Sequence, residues 1–428
     1  MRSWGNIFEI GKVKNLSCFL HDGVELLDEV CIFGNKRSYG DQATLPDGDQ
    51  ICAKQLDHFI SFNPVSGIIK AQSGVLLSRI LEIAVPKGWF LPVTPGTKFI
   101  TLGGAVANNV HGKNHHKAGS FGNFIKAIGL YRSDLGNLVL SQNENRELYE
   151  ATIGGSGLTG LITWVEFQLQ KVNSEHLEVQ NIRFTSLKEF FELSADSKDW
   201  EYTVAWVDCM STNLSLGRGV FSRANFCKSK FLELDNNVQS KITIPKRFPS
   251  SFLNKYFIKL FNEIYYYKPS SQSLKKVHYD SFFYPLDKIA SWNNLYGVNG
   301  FYQFQCIIPH ESAMSVMHKL LAKIADSKQG SLLAVLKVHA DETSPGLNNF
   351  CMNGCSLALD FKNTGNKTLD LLKSLECMVV DAGGRIYLAK DSTMSSETFK
   401  KMYPNWKILN DLKDPKLTSA QWKRLSES

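Results

Sequence analysis

The sequence predicts an α+β chain of two or three domains, with the later part built on a largely antiparallel sheet. Three observations predict it. The chain has 428 residues, more than a single hydrophobic core normally serves. Roughly its first 170 residues alternate short β-branched stretches with glycine turns. From about residue 174, longer strand-like stretches mix with helical periodicity, without the regular βα alternation of a parallel sheet.

The elements follow in order. Residues 29–33, 67–71 and 124–131 read as strands, and 76–87 as a helix, since its apolar positions recur at helical spacing. Residues 161–169 are β-branched and partly alternating, so they read as a strand. Further strands are expected at 200–207, 300–308 and 356–361, with helices at 311–327, 368–382 and 419–426.

Composition is that of an ordinary globular chain: 43% hydrophobic and 21% charged. No apolar run reaches the roughly 20 residues that span a bilayer, and residues 1–6 lack the apolar core of a secretory signal. Nine scattered cysteines suit a reducing compartment. The expected location is cytoplasmic, peripheral on the inner face of the plasma membrane if the basic segment meets lipid. The net charge is +7, and it is concentrated between Lys228 and Lys276, where ten basic residues face three acidic ones. One basic, aromatic segment argues for an anionic surface and against a diffuse nucleic-acid role.

Four segments could carry chemistry. Gly34, Asn35, Lys36, Arg37, Ser38, Tyr39, Gly40 and Asp41 follow an apolar strand. Glycines there let the backbone approach a ligand and aim N–H groups at phosphate oxygens; spacing alone describes a plain turn equally well. A second run carries Gly96, Thr101, Gly103, Gly104, His111, Gly112, Lys113 and Asn114, small and polar enough to lie along a cofactor. His111 and His115 have i, i+4 spacing, but Gly112 and Asn114 disfavour a helix and no cysteine or carboxylate is near in sequence. No metal is expected. Residues 155–160 match G-x-G-x-x-G, yet a helix precedes them and a strand follows, the reverse of a dinucleotide fingerprint. Lys390 follows an apolar stretch, where burial lowers a lysine pKa and makes it a candidate base, although a surface pair with Asp391 is the commoner outcome.

The motifs taken together resemble the vanillyl-alcohol-oxidase/p-cresol-methylhydroxylase (PCMH-type) flavoproteins, and within them the decaprenylphosphoryl-ribose oxidase-like subfamily. The residues that carry the resemblance are RSYGD at 37–41, PGT at 95–97, GGA at 103–105, HGKNHHKAGSFG at 111–122 and GGSGLTG at 154–160. The second half adds AWVD at 205–208, LGRG at 216–219, FFYPLD at 282–287, GFYQFQ at 300–305, GGRIYLAKDS at 383–392 and MYP at 402–404.

The resemblance implies a PCMH-type, two-subdomain FAD-binding domain at 1–173, completed by 384–428, around an α+β substrate domain at 174–383. It implies FAD held by residues 34–41, Gly96, Thr101, Gly103, Gly104, His111, Gly112, Lys113, Asn114, Ile162 and Tyr387. It implies a substrate side of Tyr39, His111, Lys113, Trp206, Tyr284, Gln303, Gln305, Lys337, Asp360 and Lys390. The chain departs from the family loop, an Arg-Gly-x-Gly-Arg-Ser-Tyr-Gly run, at Phe33 and Lys36. It also has Ala358 where the family's Cys-x-Asp-Phe strand has cysteine.

The expected reaction is FAD-dependent oxidation of the 2'-hydroxyl of a polyprenyl-phosphate-linked ribose to a 2'-keto sugar, the first half of an epimerisation to arabinose. A separate short-chain reductase would consume the product. Lys390 would bind or deprotonate the hydroxyl, His111 and Tyr39 would hold flavin and sugar in register, and Lys113 would contact a phosphate. The basic segment 246–268 would be either an interfacial helix on anionic lipid or a helix packed on the substrate domain. Two other readings are an aldonolactone or alditol oxidase and a non-catalytic sugar-lipid binding protein. Those oxidases commonly tether FAD through a histidine in the first loop, where this chain has Tyr39, so non-covalent FAD is expected.

Overall fold

Alternation along four strands separates the core from the chemistry. The computed structural model describes residues 2–20, 29–229, 242–246, 249, 253–269, 273–341 and 343–427. Its largest sheet has eight antiparallel strands, in the order Lys275–His278, His176–Phe184, Gly219–Phe226, Tyr202–Val207, Ala334–His339, Gly354–Lys362, Phe301–Pro309 and Arg385–Ile386. Successive side chains of a strand point to opposite faces. Tyr302, Phe304, Cys306 and Ile308 therefore share one face with Leu357, Leu359 and Phe361 of the next strand, and all join one buried cluster. The helices His310–Ser327 and Asn366–Asp381 cover that face with Met317, Leu320, Leu371 and Leu375.

The other face is polar. Gln303 lies opposite Asp360, Gln305 opposite Ala358, and Lys337 opposite Ser356. Trp206 and Val335 extend the row that holds Ala358 and Gln305. A polar face is tolerated at this depth only if something covers and bonds it. The N-terminal half and the C-terminal tail supply the cover.

The N-terminal half contains a second antiparallel sheet, in the order Phe59–Phe62, Ile68–Gln72, Leu161–Gln168, Ile125–Arg132 and Gly136–Leu140. The helix Leu77–Ala84 packs on it through Leu77, Ile80, Leu81 and Ala84, all buried in the same cluster. A smaller parallel sheet joins Lys12–Lys14, Asp49–Cys52 and Val30–Phe33. The chain is α+β. The helix Arg146–Thr152 precedes residues 155–160 and a strand follows them, so the glycine run is a turn between helix and strand.

The C-terminal tail is shared between the two halves. It begins as the edge strand Arg385–Ile386 of the large sheet, paired with Cys306 and Ile307. It ends against the small parallel sheet, where Leu417 bridges Val30 and the amides of Val30 and Thr418 bond across. Assigning 384–428 wholly to the N-terminal unit therefore understates its contact with the large sheet. Among the described residues no helix is long and apolar enough to cross a membrane.

Candidate active site

The first loop leaves the parallel sheet at Phe33 and presents a row of backbone donors. Among the described residues, the amides of Asn35 and of Arg37 to Gly40 donate to no protein acceptor. Polar backbone groups rarely go unbonded in a folded chain, and successive free amides form an anion-binding concavity. The Arg37 guanidinium lies 3.9 Å from the Trp4 ring centre, and its buried Nε has no partner. Lys36 adopts a left-handed backbone, φ +53°, at the position where the resembling loop has glycine. Its ammonium lies 4.9 Å from the ring centre of Phe33, the loop's other departure, so the two unusual residues support each other.

Asp41 corrects an expectation. Its buried carboxylate accepts two 2.9 Å bonds from Arg424, which also reaches Asp391 at 2.9 Å. A carboxylate so engaged, and carrying the charge of a phosphate, does not hold a phosphate. It latches the first loop to the tail.

The second run folds into the short helix Leu102–Ala107, capped by Thr101, whose hydroxyl accepts from the Gly104 amide. A Cβ on Gly96 would meet nothing within 4 Å, and one on Gly104 would meet only the Thr101 hydroxyl. Both glycines therefore border open space. Buried Ser73 Oγ, Asn108 Oδ1 and His111 Nδ1 lack partners there. His111 is pulled well below the usual histidine range by burial first and then by Lys337, His115 and Lys390, so it is neutral. The Gln305 amide donates to its Nε2 at 2.8 Å, which places the ring proton on Nδ1, a buried donor without a protein acceptor. Tyr387 donates to the Asn108 carbonyl at 2.9 Å, and its ring lies 5.1 Å from that of His111. Ile162 is buried on the neighbouring strand.

Lys390, Tyr39, Gln303 and Asp360 meet where the tail crosses the polar face. Lys390 Nζ lies 3.8 Å from the Tyr39 ring centre. Gln303 bonds Asp360 at 2.7 Å and also reaches the Tyr39 hydroxyl. Burial lowers the Lys390 pKa to about 7, with Asp360 opposing the shift and Lys337 adding to it. Burial raises Asp360 to about 7, with Gln303 and Lys390 opposing. Burial raises Tyr39 well above its usual value, so its phenol stays protonated. Lys337 is lowered to about 8, chiefly by burial.

Other expected site residues have structural work. The half-buried ammonium of Lys113 donates to the Phe282 carbonyl and lies 4.2 Å from that ring's centre. Burial is the main cause of its lowering to about 7. Tyr284 is fully buried and bonded to Thr94 at 2.6 Å, so it ties the two halves together. Asn114 donates to the Pro92 carbonyl and Trp206 to that of Leu332. Gly112 packs within close reach of Asn114 and Thr94.

The sequence reading missed several residues. Asp287 accepts from the Thr97 hydroxyl at 2.7 Å and the Lys98 amide at 2.9 Å, fixing the loop around Gly96. Phe350 packs on both His111 and Tyr387. His339 lies two residues after Lys337 on the same face, with its ring centre 4.5 Å from that of His115. That spacing, on an otherwise apolar strand, was the available signal.

An FAD binding domain family matches residues 24–139, the span that holds both loops. The decaprenylphosphoryl-β-D-ribose oxidase of Mycolicibacterium smegmatis is 32% identical over 382 residues, covering 87% of this chain and 82% of the relative. The chain belongs to the decaprenylphosphoryl-β-D-ribose oxidase family. Over shorter stretches it also resembles a D-lactate dehydrogenase of Anaerostipes hadrus, 29% identical over 29% of this chain and 27% of the relative. A mitochondrial D-2-hydroxyglutarate dehydrogenase of Arabidopsis thaliana is 25% identical over 32% of this chain and 24% of the relative. Membership in the decaprenylphosphoryl-β-D-ribose oxidase family makes the chain a PCMH-type, FAD-dependent oxidoreductase, so the non-catalytic reading falls away. The geometry fits FAD: the amides of Asn35 and of Arg37 to Gly40, with the Arg37 side chain, suit its pyrophosphate. Gly96, Gly104, Asn108, His111 and Tyr387 border the adjoining space.

Proposed function

We propose that the chain oxidises the 2'-hydroxyl of a polyprenyl-phosphate-linked ribose to the 2'-keto sugar. The observation that carries the reading is the Lys390 amine. It is half-buried beside Tyr39 and Asp360 and has no hydrogen-bond partner among the described residues. A nitrogen tuned to about 7 accepts a proton near neutral pH, as an alcohol oxidation requires. The M. smegmatis relative, by its name, acts on a ribose carried on a decaprenyl phosphate; this supports the substrate class. FAD supplies the hydride acceptor when bound.

The chain's own residues supply position and proton transfer. Lys390 takes the hydroxyl proton, and Asp360 opposite Gln303 holds the charge that forms on it. His111, fixed by Gln305, offers its Nδ1 proton to an oxygen of the ligand. Lys337 adds a donor on the same sheet face. The FAD is non-covalent in this reading, since Tyr39 occupies the tethering position and its phenol stays protonated. A reductase of the short-chain class would consume the keto product.

Anaerobic titration of the purified flavoprotein with a panel of sugars tests the reading. A polyprenyl-phosphate ribose is expected to bleach the flavin, and acid precipitation to release the yellow colour. Bleaching by free alditols or aldonolactones, and not by the lipid-linked sugar, would favour the rival oxidase.

The lipid side has its own support. The helix Lys255–Tyr267 buries Ile258, Asn262 and Tyr266 and exposes Tyr256 (74%), Leu260 (60%) and Ile264 (64%). Asn262 bonds Asp208 at 2.7 Å, and Tyr265 packs at a tilt against Trp206 with ring centres 4.7 Å apart, so the inner side is anchored beside the polar sheet face. The helix is thus packed and still carries an apolar outer face. Residues 247, 248 and 250–252 of the basic segment lie outside the described residues. Apolar side chains beside Lys255, Lys259 and Lys268 suit an anionic bilayer at roughly 1 kcal/mol per lysine. Neutralising Lys246, Lys255, Lys259 and Lys268 together is expected to reduce co-sedimentation with phosphatidylserine vesicles by at least tenfold. Unchanged co-sedimentation would rule the contact out.

A further inference from the structure

His115, His339 and Cys351 come from three segments far apart in sequence, yet their ligand atoms all lie within 4.8 Å of one another. It is the one such group found among the described residues. Both ring nitrogens of His115 and Nδ1 of His339 are buried without any hydrogen-bond partner. Three orphaned nitrogens in one place are costly, since each forgoes a bond to water. His339 Nε2 bonds the Ser356 hydroxyl at 2.8 Å. That bond orients the ring and leaves Nδ1 toward the cluster, the arrangement a metal-binding imidazole commonly has with an outer partner.

We propose that His115, His339 and Cys351 form a binding site for one thiophilic d¹⁰ metal ion of the Zn²⁺ class. Two imidazoles and a thiol are a borderline-soft donor set. Bonds of about 2.0–2.3 Å in a tetrahedral arrangement place ligand atoms roughly 3.3–3.8 Å apart. Atoms that all lie within 4.8 Å of one another reach that range by closing at most roughly 1.5 Å through side-chain adjustment. Binding forms two metal–nitrogen bonds and one metal–sulfur bond, and the Cys351 thiol proton leaves to solvent. Lys337 lies on the same strand as His339, and its charge repels hard cations that offer only electrostatic attraction. An ion that gains covalent character from nitrogen and sulfur overcomes that repulsion, and Mg²⁺ does not. The ion ties residues 111–118 to the large sheet and to the loop around Phe350, and so braces the wall on which His111 stands.

Equilibrium dialysis of the flavin-loaded protein against Zn²⁺, with Mg²⁺ in excess, tests the site by metal quantitation. About one zinc per flavin is expected. His339→Phe and Cys351→Ser are each expected to weaken Zn²⁺ binding by tenfold or more. Flavin content, read from the visible spectrum, reports that each variant is folded. X-ray absorption at the zinc edge should show one sulfur and two nitrogen ligands. Less than a tenth of an equivalent of zinc, or unchanged binding in both variants, would overturn the assignment. None of these readouts depends on which sugar is oxidised.

Discussion

Lys390→Met is expected to yield a folded, yellow protein whose flavin is no longer reduced by substrate at a useful rate. The loss should be about 10²- to 10⁴-fold, the usual contribution of a positioned base. Methionine keeps the length and the apolar packing against Tyr39 while removing the nitrogen. The pH dependence has a defined sign. The amine form is the base, so in the parent enzyme kcat/KM falls as pH drops below about 7 and levels off above it. Asp360 favours the ammonium, and Asp360→Asn removes that support, so the acid limb should move to lower pH. Single-turnover flavin reduction across roughly pH 5.5–9 checks both. Normal reduction in Lys390→Met would end the assignment.

The largest effect on stability is expected at Arg424. Its guanidinium joins Asp41 of the first loop to Asp391 beside Lys390, and both carboxylates are buried. Removing one partner of a buried pair leaves uncompensated charge and costs about 3–5 kcal/mol. Arg424→Ala should therefore lower the urea midpoint strongly and release FAD, because the latch sets the position of the loop. Adding Asp41→Asn and Asp391→Asn to it should restore much of the stability, since the cost lies in the stranded charges. A single variant that melts within about 0.5 kcal/mol of the parent would show that the latch is incidental.

The sequence made some of this site legible and hid the rest for physical reasons. The first loop and Lys390 stood out because glycine punctuation and a lysine after an apolar stretch are local signals. The expected strands and helices fell close to the observed ones, because their periodicities are also local. Gln303, Gln305, Lys337 and Asp360 reached the candidate set through resemblance, and the sheet then explained them as one face of three strands. Arg424 carried no signal beyond its place in the expected helix at 419–426; its two carboxylate partners are distant in sequence. The metal-ligating potential of His115 was discounted because no cysteine was near in sequence, yet the fold brings Cys351 beside it. Asp41 was read by its neighbours in the motif, whereas its side chain answers to the tail.

The strict alternation on the large sheet has an evolutionary consequence. Along 301–309, 334–339 and 354–362, each position on the face that carries Gln303, Gln305 and Lys337 is flanked by positions that face the helix-covered core. A point change at 303, 305, 337 or 358 is therefore expected to act on the polar face while leaving core volume untouched, and a change at 304, 336 or 357 to do the converse. Natural variation can explore new substrates on this surface with little penalty in foldedness, much as a printed circuit is rewired on one side of its board. Ala358, where the resembling family motif has cysteine, stands on that polar face opposite Gln305.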